Sequence, residues 1–215
     1  MLSLAYITLN EEKYIGRSIE SVRSIADEII VLDHFSEDAT VDICKSLGAT
    51  VLQTKWRHDF SFSRNRLMSF CSGDWILSLD ADEHLETENL NLLLEALDLS
   101  EAEDIVAWSL IRKNHYPSHD PKSPFFSFPF YPDPQVRVFR NMSSLFYSGA
   151  VHEGVLPSIN EGKLGTVGRL SLCIHHHMFR GDKDKFEEDK GKYYADIAKG
   201  VFCEEHYPSC QVEPA

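Results

Sequence analysis

The first hundred residues alternate apolar, strand-like runs with helix-like segments, and this alternation constrains the fold more than any other property of the chain. Residues 2–8 (LSLAYIT) read as an apolar strand, and Asn10 can cap a helix running to about Arg23 with Glu11, Glu12 and Glu20 facing solvent. Residues 28–32 predict a second strand ending at Asp33, after which Ser36 or Asp38 can cap a helix that Gly48 stops. Residues 49–54 read as a third strand, and residues 61–71 as a helix carrying Arg64, Asn65 and Arg66 in its first turn. Residues 75–79 (WILSL), bounded by Gly73, are short and bulky enough for a strand covered on both faces. This βαβα order predicts a largely parallel sheet with right-handed crossovers. Asp33 and Asp80 then lie on one rim, at strand carboxyl ends, where open α/β sheets bind their ligands.

The run at 75–79 ends in Asp80, Asp82 and Glu83. Because strand side chains alternate, Asp80 and Asp82 can share a side while Ala81 turns away. That pattern suits Mg²⁺ or Mn²⁺, which take one or two carboxylates and fill their other positions with water and phosphate oxygens. The competing reading is that three acids solvate a strand end and open the next helix.

Beyond residue 86 the order changes. A helix is predicted over residues 87–97 and a strand over 104–113, followed by a stretch at 114–134 dense in Pro, Phe, Tyr and His. That stretch reads either as a substrate loop or as an aromatic plug on the core. Residues 135–140 alternate, with Val136 and Val138 on one face and Arg137 and Phe139 on the other. Residues 165–177 form a further strand, residues 184–202 an amphipathic helix with Phe186, Tyr193, Ile197 and Val201 inward, and the polar tail begins at Glu204.

A chain of 215 residues with 43% apolar and 26% charged composition fits one domain with a substantial core. Its net charge of -13 argues against a nucleic-acid partner. Five cysteines without a CxxC pair suit a reducing cytoplasm, with Cys44 and Cys71 as small buried hydrophobes. The opening MLSLAYITLN lacks the basic leader and long apolar region of a signal peptide, and no window reaches the ~20 apolar residues of a membrane span, so membrane contact is expected to be peripheral. The first turn, TLNEEKYIG, has no glycine before Gly16, which argues against a dinucleotide fingerprint and a phosphate loop alike. A nucleotide held by side chains, its diphosphate held by metal, remains.

Taken together, ITLNEEKYIGRSIESV, DEIIVLDHFSEDAT and WRHDFSFSRNRLMSFCSGDWILSLDADE resemble, in order and spacing, the family 2 glycosyltransferases of the GT-A fold. Among these they are most similar to small bacterial enzymes of the lipopolysaccharide-core glucosyltransferase kind. The resemblance covers residues 2–86 and continues more weakly through QVRVFRN, YSGAVHEG and CIHHH. It implies a single GT-A domain, with a nucleotide-binding half at 1–98, an acceptor-side half at 99–203 and a tail at 204–215.

The same resemblance implies roles for individual residues. Thr8, Asn10 and Glu11 would line the base and ribose end, and Asp33 would accept the imide N–H of uracil. Arg64 and Asn65 match an RN pair near the nucleotide, Asp80 with Ala81 would meet the ribose or a metal-bound water, and Asp82 would ligate Mg²⁺ or Mn²⁺, with Asp80 close enough to share it. Glu153 is the candidate general base, with an exposed loop acid as the alternative, and His152 beside it could orient that base or touch the diphosphate. His175 and His177 share a strand face, and His175 is the candidate late metal ligand, with packing or capping as the alternative. Arg180 and Lys183 could hold phosphate or form a solvated turn. One departure is HFSEDAT, where the family has a glycine- or serine-rich turn, so His34 and Phe35 are expected to alter the nucleotide pocket. The implied activity is metal-dependent, inverting transfer of a sugar from a nucleotide-diphosphate donor, a UDP-sugar, to a saccharide or lipid-linked glycan in cell-envelope polysaccharide synthesis. A non-catalytic sugar-nucleotide or glycan-binding module and a nucleotidyltransferase releasing pyrophosphate are the rival readings.

Overall fold

The computed structural model describes residues 1–100, 103–115, 132–177 and 192–199. Its first half is the expected alternation: β1 (Leu2–Thr8), α1 (Ile15–Val22), β2 (Glu28–Asp33), α2 (Thr40–Ser46), β3 (Thr50–Gln53), α3 (Phe60–Met68) and β4 (Trp75–Ser78). These four strands run parallel in the order β3-β2-β1-β4, with Thr8 beside Asp33 and Ala5 beside Ser78. The second half adds β5 (Glu83–Leu85), α4 (Leu90–Leu99), β6 (Ile105–His115), β7 (Asp133–Arg140), α5 (Leu156–Gly162) and β8 (Thr166–His177). Together they make one eight-stranded sheet, β3-β2-β1-β4-β7-β6-β8-β5, in which β7 is antiparallel to β4 and β6, and β5 is antiparallel to β8. The parallel half is as the sequence predicts, and the mixed half is what the longer second segment adds.

Two apolar cores pack the sheet. Leu4, Tyr6, Ile15, Ile19, Leu77, Leu85 and Leu110 share one cluster, and Leu32, Leu67, Ile76, Phe139 and Ile159 share the other. Each such fully buried side chain contributes roughly 1.5–3 kcal/mol. Ile15, Ile19 and Val22 recur at helical spacing and are buried, which turns α1 onto the sheet. Gly73 leads into β4 where a Cβ would lie 2.8 Å from the backbone nitrogen of Ser3, so the close approach of the two chain segments requires glycine. Burial pushes the thiols of Cys44 and Cys71 up to about 12, which suits packing groups rather than nucleophiles.

Helix starts differ in detail from the sequence expectation. Asn10 does not cap α1: it sits at φ 55, and the helix begins after Tyr14. Asp38, not Ser36, serves the start of α2, accepting from the Thr40 amide at 3.0 Å, and Asp59 caps α3 through the Phe62 amide at 2.9 Å. The three-residue edge strand β5 was not visible as a strand, because its polar sequence EHL follows the acids directly. Its outer edge is covered by α1, where Ser18 Oγ donates to the Glu83 carbonyl and Ser21 Oγ accepts from the Leu85 amide at 3.2 Å. Side-chain hydroxyls three apart on a helix thereby protect a sheet edge.

The alternation expected for residues 135–140 is interrupted. Trp108 faces Val138 and Ser109 faces Val136, so Arg137 is the extra residue of a β-bulge. Val136 consequently packs with the Phe139 cluster, and Val138 lies in the other one. Of the stretch at 114–134, residues 116–131 lie outside the described residues, as do Arg180, Lys183, Phe186, Val201 and the tail at 204–215; within the helix predicted at 184–202, residues 192–198 are helical and Ile197 is buried. Among the described residues no helix is long and apolar enough to cross a membrane.

Candidate active site

The carboxyl ends of β1 and β2 are laced together by the loops that follow them. The Asn10 amide donates to Ser36 Oγ at 2.8 Å, Asn10 Oδ1 accepts from the Glu37 amide at 2.8 Å, and the Glu11 amide donates to Thr40 Oγ1 at 2.6 Å. Asp33 is fully buried and accepts four hydrogen bonds: from Thr8 Oγ1 (3.1 Å), the Ser36 amide (2.9 Å), Ser36 Oγ (2.5 Å) and Gln53 Nε2 (3.0 Å). A carboxylate has about four acceptor sites, so in this conformation Asp33 organises the rim and offers no lone pair to a base. Of the two departures in the turn, Phe35 is exposed at φ 61. His34 is buried, with Nδ1 3.0 Å from the Thr54 carbonyl, its ring edge-on to Trp56 and its Nε2 without a hydrogen-bond partner among the described residues. Burial lowers its pKa.

At the centre of the sheet, arginines and carboxylates interlock. Arg64, on the sheet-facing side of α3, donates to Asp80 Oδ1 and to Glu153 Oε1, both at 2.6 Å. Arg137, aimed here by the bulge, donates to Asp80 Oδ2 at 2.8 Å and Glu83 Oε1 at 2.6 Å, and Arg112 adds a longer contact to Glu83 at 3.6 Å. The Asp80–Glu83 turn closes on itself, since the Asp80 amide donates to Glu83 Oε2 at 3.1 Å and the Glu83 amide to the Asp80 carbonyl at 2.9 Å. Burial alone would raise the Asp80 pKa, but Arg137 and Arg64 outweigh it and hold this carboxyl far below the usual carboxylate range. Each Asp80 oxygen thus accepts from one guanidinium group and keeps acceptor capacity, through which the metal role expected of Asp80 would act.

Asn65 turns the other way from Arg64. Its Nδ2 donates to the Tyr147 carbonyl at 2.9 Å and its Oδ1 accepts from the Tyr147 amide at 2.7 Å, so this side chain clamps the backbone entering the 148–154 loop. That loop is pinned by reciprocal Ser148–Gly154 hydrogen bonds of 3.1 and 3.2 Å and by the Phe60 amide donating to the Ala150 carbonyl at 3.0 Å. It holds His152 at φ 55 and presents Glu153 to Arg64. His152 meets the ring of Tyr194 edge-on, 5.8 Å between centroids. Burial, with Asp80, Glu153 and Asp82 nearby, pushes the Tyr194 phenol up to about 12. Trp56 Nε1 donates to Tyr193 OH at 2.5 Å and fixes the helical segment at 192–198 to the start of α3.

The three strand-end histidines divide between two faces. In the β5–β8 ladder Glu83 pairs with His176 and His84 with His175, so His176 shares the face of Glu83. His176 Nε2 lies 3.6 Å from Asp82 Oδ2, whereas His175, the late ligand expected from sequence, contacts Glu86 Oε1 at 2.8 Å on the opposite face. The reason is the strand period of two, which the sequence displays without saying which parity faces the acids. Ala81 is buried between the two aspartates. Arg137, Glu83 and His176 were missed as site residues; QVRVFRN contains the arginine, but only the bulge aims it inward.

A family model described as glycosyl transferase family 2 matches residues 3–152. A TPR repeat-containing protein of Synechococcus elongatus is 35% identical over 158 residues, covering 74% of this chain and 36% of that protein. The SPbeta prophage-derived glycosyltransferase SunS of Bacillus subtilis is 31% identical over 156 residues, covering 71% of this chain and 34% of that protein. The chain thus spans about a third of the length of these curated relatives. Among solved structures, S. aureus TarS 1-349 in complex with UDP-GlcNAc superposes with a TM-score of 0.62 at 16% identity, covering 97% of this chain and 64% of that one. Glucosyl-3-phosphoglycerate synthase from Mycobacterium tuberculosis, in complex with Mg²⁺ and UDP, gives 0.62 at 20% identity, covering 94% and 80%. These two likenesses show the GT-A fold. With the family model extending over the parallel sheet, the arginine–carboxylate centre and the loop that leads to Glu153, the chain belongs to glycosyl transferase family 2.

Proposed function

We propose that the chain is a metal-dependent, inverting glycosyltransferase that moves a sugar from a nucleotide-diphosphate donor, most simply a UDP-sugar, to a saccharide or lipid-linked glycan. One observation carries this reading: a single guanidinium, Arg64, joins Asp80 at the donor rim to Glu153 on the acceptor-side loop, with 2.6 Å contacts to each. The nucleotide half is residues 1–98 and the acceptor half 99–203. UDP is favoured because the structural neighbours above were solved with UDP-GlcNAc or UDP.

The donor set fits a divalent cation supplied partly by substrate. Asp82 and His176 bring one oxygen and one nitrogen ligand to the same edge, and among the described residues no group of three His, Cys, Asp or Glu side chains forms a cage. Diphosphate oxygens and water would complete the shell, which is how Mg²⁺ and Mn²⁺ are ordinarily held, and the imidazole favours Mn²⁺. The cation, when bound, neutralises charge building on the departing diphosphate. Arg137 is matched by Asp80 and Glu83, but its buried Nε, which has no hydrogen-bond partner among the described residues, is a donor suited to a phosphate or sugar oxygen. Glu153, held by Arg64 through Oε1, takes the proton of the acceptor hydroxyl on the face opposite the leaving group. The unpaired thiols of Cys44, Cys71 and Cys173 suit a cytoplasmic setting, with any membrane contact peripheral.

Calorimetric titration of uridine, guanosine and thymidine diphosphates, with and without Mn²⁺, tests the donor site in the native chain and in Asp82→Ala. Manganese-dependent binding of one nucleotide, lost in the variant, is expected. A folded sample that binds none of them would leave a relic of the fold with another ligand.

A further inference from the structure

We propose that the outward face of the β5, β8 and β6 strand ends, where His84, His115, His175 and His177 gather around Arg17, is a binding site for a phosphate group. This site is separate from the donor centre. In the strand period, Glu83 and His176 face the arginine cage, whereas His84 and His175 pair on the other face, with His115 paired to His177 beside them. The four rings close a quadrilateral, with centroids 5.0 Å apart for His84–His175, 4.9 Å for His175–His115, 5.2 Å for His115–His177 and 5.0 Å for His177–His84. All lie within 30° of parallel and all reach solvent at least in part.

Arg17 decides which kind of ligand such a cluster suits. From α1 its guanidinium reaches His84 Nε2 at 2.8 Å and His177 Nε2 at 3.4 Å. Arginine only donates, so the His84 ring accepts at Nε2 and carries its proton on Nδ1. Among the described residues Arg17 has no carboxylate partner, in a chain whose net charge is -13. A cation is disfavoured, because Arg17 meets Nε2 of His84 and of His177, His115 Nε2 and His175 Nδ1 meet each other at 2.7 Å, and no three ligating side chains converge as a metal site among the described residues. Lys113, beside His175 in the β6–β8 register, adds a second positive charge, and Glu86 holds His175 and Lys113 at the outer edge with contacts of 2.8 and 3.7 Å. Arg17 has five N–H donors and its two imidazole contacts use two of them, so the others can serve a phosphate oxygen pair, whose remaining oxygens accept from the Nδ1–H of His84 or from Lys113. The phosphate can belong to a soluble phosphorylated molecule or to a lipid headgroup, and the chemistry is the same.

The test titrates inorganic phosphate into the full chain, following the imidazole ¹H–¹⁵N resonances and the binding heat. Saturable binding that moves the four ring resonances is expected, with affinity reduced at least about tenfold in Arg17→Gln and partly restored in Arg17→Lys. Sedimentation with phosphatidylglycerol or phosphatidylcholine vesicles separates the sources. Arg17-dependent capture by the anionic vesicles assigns the phosphate to a headgroup, and inorganic phosphate binding without capture assigns it to a soluble molecule. Phosphate that leaves the four rings unmoved, or binds Arg17→Gln as it binds the native chain, overturns the proposal; so does Zn²⁺ moving the rings where phosphate does not. Manganese-dependent UDP binding, followed in the same variants, is expected to be unchanged, so a failure here is distinct from a failure of the donor-site reading.

Discussion

Arg64 and Glu153, 89 positions apart in the chain, meet at 2.6 Å through the guanidinium Nε and one carboxylate oxygen. The same guanidinium reaches Asp80 through its far nitrogen, so donor rim and candidate base share one rigid, planar connector. A lysine offers a single nitrogen and cannot span both. Arg64→Lys is therefore expected to keep the fold and lower sugar transfer about 10²-fold or more, and Glu153→Gln to lower it about 10²- to 10⁴-fold while nucleotide binding persists. Initial rates beside calorimetric affinity check this. Native turnover in Glu153→Gln would remove Glu153 from the mechanism.

Glu83 is fully buried and faces Arg137. Its removal strands a guanidinium without its nearest carboxylate, a loss of about 3–5 kcal/mol. Urea unfolding of Glu83→Ala against the native chain measures it, and a change under 1 kcal/mol, on the scale of an exposed pair, would contradict a buried pair of this strength.

Asp80 links stability to pH with a definite sign. Arg137 and Arg64 depress its folded pKa despite burial, so its stabilisation is present above the ordinary aspartate value of about 3.9 and declines as pH falls below it toward the folded pKa. Unfolding free energy followed from neutral pH to about pH 3 is expected to drop more steeply for the native chain than for Asp80→Asn. Equal slopes would show that Asp80 is not the linked group.

The two neighbouring histidines separate cleanly by experiment. His176→Ala is expected to weaken Mn²⁺-dependent UDP binding about 10-fold or more, because His176 lies beside Asp82, while His175→Ala leaves it near the native level. The reverse ranking would restore the sequence-based choice of His175.

Trp56 and Tyr193 hold the helical segment at 192–198 against the start of α3. Tyr193→Phe removes the acceptor of the largely buried Trp56 indole and is expected to cost about 1–3 kcal/mol, with a shift in tryptophan emission. An unchanged spectrum and midpoint would mean that the bond holds nothing in place.

The sequence by itself determined the parallel half of the sheet, because apolar runs of strand length separated by helical periodicity admit few other arrangements. It also placed Asp33, Asp80 and Asp82 at strand ends, since a buried run must stop where charges begin. It did not decide parity. Whether His175 or His176 meets Asp82, and whether Arg137 points into the centre, turn on one-residue shifts: the β8 register and the bulge opposite Trp108 and Ser109. Nor did it show that Asp33 is saturated by Thr8, Ser36 and Gln53, or that Asn65 grips Tyr147. Apart from the local Ser36 turn, those contacts join segments 20 to 82 positions apart in the chain, so they exist only once the strands have paired, and the tertiary structure alone selects them.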